Sequence, residues 1–92
     1  MNVSKDKSVI VSKLPFAGYI WSLDEEARRK LVLRISKRAK RERSVVYRYA
    51  NGDVRPRGLV LDKIAEIIRR HSGDNSWTGD KLFPVEFYEK KE

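Results

Sequence analysis

Apolar residues recur at helical spacing through the middle of the chain. Ala27, Leu31 and Ile35 fall at i, i+4 and i+8, with Leu23 before them and Ala39 after. This predicts a helix over about 23–40 with one apolar stripe and other faces made almost entirely of Arg and Lys. Ser22 followed by Glu25 has the form of a capping box, and Asp24, Glu25 and Glu26 stand where the helix dipole favours acids. A second helix is expected over about 43–50, with Val46, Tyr49 and Ala50 on one side and Arg43, Ser44, Tyr47 and Arg48 on the other. Asn51-Gly52 tolerates positive φ and stops it. After the loop DVRPR, Leu61, Ile64, Ala65 and Ile68 form the stripe of a third helix over about 57–71, and Gly73 is its expected stop.

The ends follow another rhythm. KSVIVSKL (7–14) is short and β-branched and reads as a strand. Pro15 and Gly18 then break the chain before a dense patch of Phe16, Tyr19, Ile20 and Trp21, read as a cap on the core. SGDNSWTGD (72–80) reads as a loop, and LFPVEFYE (82–89) as an edge strand limited by Pro84. The expected architecture is mainly α. A helix-turn-helix core of three to four helices spans about 23–71 in a single domain, 1–92. Its terminal extensions, 1–22 and 72–92, carry short β-strands.

Charge sharpens the picture. The formal net charge is +8 over 92 residues, and it is concentrated. Residues 28–48 hold ten basic side chains against Glu42 alone, whereas residues 49–92 hold eight of each sign. Solvated helix faces usually mix signs. A block of one sign is what a polyanion-binding face requires, because each cation that meets a phosphate releases condensed counterions.

Other chemistries find little support. The chain has no Cys, which excludes disulfides, thiolate catalysis and Cys-based zinc sites. The lone His71 stands near a helix end, where it complements the dipole. No Gly-rich loop has phosphate-binding spacing. Asp74, Ser76, Thr78 and Asp80 resemble a calcium loop without its bidentate Glu. No catalytic set and no cofactor site is expected. No apolar run nears the roughly 20 residues of a membrane span, and the first residues lack a secretory pattern, so a cytoplasmic, nucleoid-associated protein is expected.

The stretch ISKRAKRERSVVYRYANGDVRPRGLVLDKIAEII (35–68) resembles the helix-turn-helix of the Cro/C1-type (lambda-repressor-like) DNA-binding family. Ile35 to Ala39 match the scaffold helix, Lys40 to Glu42 the turn, and Arg43-Ser44-Val45-Val46 the start of the recognition helix. Tyr49, Asn51-Gly52, Arg55-Pro56 and Leu61-Asp62-Lys63-Ile64-Ala65 complete the pattern without a gap. The turn departs from the family's Leu-Gly-Val-Ser-like form, since it has no Gly and Arg41 replaces an apolar plug. Val32 stands where the family often has Gln.

The resemblance implies base reading by Arg43, Ser44, Tyr47 and Arg48. It implies phosphate contacts from Lys37, Arg38, Lys40, Arg41, Asn51, Arg55 and Arg57. Arg can bond guanine O6 and N7 in bidentate fashion, while phosphate contacts fix register. The expected function is sequence-specific binding of double-stranded DNA, as a homodimeric transcriptional regulator on a two-fold site. Its rivals are the DNA-binding module of a recombination or segregation system, an RNA binder, and an antitoxin-like module. The last would take a protein partner through Phe16, Tyr19, Trp21 or the 82–89 segment.

Overall fold

The computed structural model describes residues 7–89, with side chains from Ile10 onward. These residues form α1 (Lys7–Lys13), α2 (Pro15–Ser22), α3 (Glu25–Ala39), α4 (Arg43–Ala50), α5 (Gly58–Ser72), α6 (Gly79–Leu82) and α7 (Val85–Tyr88). The fold is mainly α, and no strand occurs among the described residues.

Both terminal strands are therefore corrected to helix. In the first, the amide of Leu14 donates to the Ile10 carbonyl at 2.8 Å, and both side chains enter the core. The β-branched run carries only a weak preference, and packing of α1 on α2 overrides it. The two lie so close that a Cβ on Gly18 would stand 3.1 Å from the Val11 carbonyl oxygen. Pro15 starts a helix here, at a position where its missing N–H has no partner to lose. The 82–89 segment splits at Pro84 (φ −63°, ψ 134°) into two single turns. Consecutive Leu82 and Phe83 are both fully buried, a placement that an alternating strand could not give.

The start of α3 is also shifted. Asp24 caps it by accepting from the Ala27 amide at 2.8 Å. Ser22 belongs to the preceding helix and donates its hydroxyl to the Tyr19 carbonyl, so the expected capping box does not form. The α5 expectation holds closely, with Gly73 closing it at φ 75°.

One core joins these elements. Leu31, Val32 and Ile35 of α3 and Ile64, Ile67 and Ile68 of α5 meet Val46 and Ala50 of α4 within it. Phe16 of α2 stacks its ring 4.7 Å from that of Phe83. Among the described residues, no helix is long and apolar enough to cross a membrane.

Candidate nucleic-acid interface

Three residues, Lys40 to Glu42, turn the chain from α3 into α4. Lys40 has φ 58° and ψ 48°, the left-handed region, and it is the only non-glycine with positive φ among the described residues. The Lys40 amide makes an ordinary helical bond to the Ser36 carbonyl, and the left-handed conformation of Lys40 turns the next amide toward the same acceptor. The Arg41 amide joins the same carbonyl at 3.1 Å, and the Ser36 hydroxyl donates to the Arg41 carbonyl. A lysine thus holds a backbone conformation that glycine adopts most readily.

Glu42 is the N-cap of α4 through its backbone. Its carbonyl accepts from the amides of Val45 and Val46 at 3.0 and 3.2 Å, while its carboxylate makes no capping bond. Val46, Tyr49 and Ala50 are buried behind the helix, and Arg43, Ser44 and Arg48 are exposed in front. Ser36, Glu42, Arg43 and Ser44 line an open hollow of about 420 Å³ at the helix start.

Tyr47 stands apart from Arg43, Ser44 and Arg48. It is half-buried, with its ring 6.2 Å from that of Trp21. Trp21 in turn donates its indole N–H to the Ala50 carbonyl at 3.3 Å and carries the Arg28 guanidinium over its face at 5.0 Å. This aromatic pair fastens α2 to α4.

No protein-family model, curated protein or solved structure matches this chain.

What the surface can do rests on its own charges. Lys37, Lys40, Arg41, Arg43, Arg48 and Arg57 are exposed, and among the described residues none has an acidic partner. Arg29 and Lys30 pair with Glu25 and Glu26 one turn back, both exposed pairs of small energetic weight. Arg38 is partly committed, since both Glu66 carboxylate oxygens accept from it at 3.2 Å.

Arg55 is turned inward. Its Nε donates to the Phe83 carbonyl at 2.9 Å and its terminal nitrogen to Asp80 at 3.0 Å, leaving its side chain 20% exposed. It braces α6 instead of standing free for a phosphate. The signal lay beyond local pattern, because its partners are 25 and 28 residues away. Asn51 is half-buried at the end of α4, and Gly52 follows at φ 78° with the Phe87 ring where a Cβ would go.

The aromatic patch expected for a partner is mostly spent internally. Phe16 is fully buried. The Tyr19 hydroxyl bonds His71 Nδ1, giving that histidine a side-chain partner as well as its place at the helix end. Burial raises the Tyr19 phenol above its ordinary pKa. In the 82–89 segment, Leu82 and Phe83 are buried, and the Tyr88 hydroxyl is buried without a hydrogen-bond partner. Burial pushes its pKa up to about 12, with nearby Arg55 pulling the other way.

The loop likened to a calcium site is an Asx turn. Asp74 accepts from the Ser76 amide and hydroxyl, which hold its carboxyl below the ordinary range. No cluster of metal-ligating side chains occurs among the described residues.

Proposed function

We propose that this chain is a sequence-specific double-stranded DNA-binding protein that reads the major groove with α4 and acts as a dimeric transcriptional regulator. One observation carries the reading: Arg43, Ser44 and Arg48 face outward from a helix whose back is buried, and just before it in the chain Lys37, Lys40 and Arg41 are exposed with no acidic partner among the described residues. A polyanion draws cations of that kind together at little desolvation cost. Arg43 and Arg48 then have the reach and the paired donors for guanine, and Ser44 can bond a base edge or a phosphate. Tyr47 acts from behind, holding the helix against Trp21. A single eight-residue helix offers little contact for specific affinity, hence the two-fold arrangement.

Selecting sites from a random duplex pool tests this, with a two-fold symmetric consensus as the expected result. On that consensus, Arg43→Ala should cost about 1–3 kcal/mol more than on random duplex. Equal loss on both removes Arg43 from base reading, and a pool without any consensus removes sequence reading altogether.

A further inference from the structure

A second surface feature lies between the end of α3, the turn after it and the start of α5. It is a groove of about 380 Å³, floored by Ala39 and Val60. Leu59 stands on its wall with 74% of its surface exposed, and Lys40, Arg41 and Lys63 stand around it. Among the described residues, none of these three cations has an acidic partner. Arg38 also lines the groove, its charge partly met by Glu66.

We propose that this groove docks an acidic segment of a partner protein, one that inserts an apolar side chain beside Leu59 and sets carboxylates against Lys40, Arg41 and Lys63. Charge complementarity names the acidic character. Leu59 names the protein character, because a phosphate backbone gains nothing from an exposed leucine, whereas an apolar anchor in a cationic rim gains both burial and ion pairing. The groove shares Lys40 and Arg41 with the surface assigned above to phosphates. An acidic segment seated there therefore competes with duplex DNA, and that competition, unlike the docking itself, rests on the duplex-binding reading.

The test titrates the full ¹⁵N-labelled chain with a synthetic, end-capped helical peptide that carries Leu flanked by Glu on one face. Amide shifts are expected at residues 38–41 and 59–63. A peptide with Ser in place of Leu should bind at least about tenfold more weakly, since burying one leucine is worth that factor or more. Leu59→Ser should weaken the parent peptide to a similar degree while leaving affinity for the selected duplex unchanged, and Lys63→Glu should weaken the peptide as well. Both side chains lie outside the duplex-reading set and away from the fully buried core, so a dispersed spectrum is expected for each variant. Unlabelled duplex should displace the peptide.

Shifts elsewhere on the surface, or wild-type peptide affinity in Leu59→Ser, overturn the docking. So does a result in which Leu59→Ser leaves the peptide alone but dissociates a self-associated species in sedimentation, since the groove would then hold a second copy. A chain that binds the peptide but no duplex upholds the docking and sinks only the duplex reading.

Discussion

Lys40 holds a backbone conformation that costs an L-residue roughly 1–2 kcal/mol relative to glycine. Glycine would relieve this and give back part of the gain through its freer unfolded chain. Lys40→Gly is therefore expected to stabilise the fold by about 0.5–1 kcal/mol in urea unfolding while weakening binding to every duplex. A loss of stability would mean that the turn does not strain the lysine. The absence of Gly from the turn was legible in the sequence. Which residue would take the left-handed position was not, because that depends on the Ser36 carbonyl accepting two amides at the end of α3. Tyr88 offers a second residue-scale test. Its hydroxyl is buried without a partner and its pKa is raised to about 12. The folded state therefore keeps the phenol's proton longer than the unfolded state does. That contribution is whole below about pH 10 and is lost as pH rises through about 12. Tyr88→Phe should leave neutral-pH stability unchanged or higher, since it removes an unsatisfied hydroxyl, and should flatten the alkaline decline relative to the parent. A parallel decline in both proteins would remove Tyr88 from the effect.

At the scale of elements, the long periodic helices were legible and the short terminal ones were not. Residues 43–50 and 57–71 announce themselves because each buries a stripe at helical spacing and ends near glycine. Among the side chains described, residues 7–14 bury Ile10 and Leu14 and residues 82–89 bury Leu82 and Phe83, too few to distinguish periods, so contacts from distant elements decide their form. Phe83, for example, answers to Phe16 and Arg55. The candidate site divides along the same line. The outward placement of Arg43, Ser44 and Arg48 was readable from local periodicity, whereas the inward turn of Arg55 was not, because its partners lie on α6 and just after it. Its role as a brace has a measurable consequence. Arg55→Ala should lower stability by about 1–3 kcal/mol, leaving the Phe83 carbonyl unpaired, and should speed amide exchange in α6 and α7. Its effect on the salt slope of duplex binding should be negligible. An unchanged stability with a reduced slope would restore the phosphate role.

For the whole molecule, the distribution of charge makes the salt dependence of binding the most discriminating measurement. The sequence alone offers six cations for phosphates: Lys37, Arg38, Lys40, Arg41, Arg55 and Arg57. In the folded chain Arg55 is engaged with Phe83 and Asp80, and Arg38 with Glu66, which leaves Lys37, Lys40, Arg41 and Arg57. Each phosphate neutralised contributes about −0.9 to the slope of log K against log salt. A two-fold dimer with the four free cations should therefore give a slope of about −7, and one using all six about −11. Measured on the selected site at fixed pH, a value near −7 with no change on Arg55→Ala supports a surface made of pre-existing free cations. A value near −11 would require both internal pairs to open on binding, and Arg55→Ala would then lower the slope by about 2 for the dimer. A slope near zero would leave the concentrated charge of α3 and the turn without a polyanion to meet.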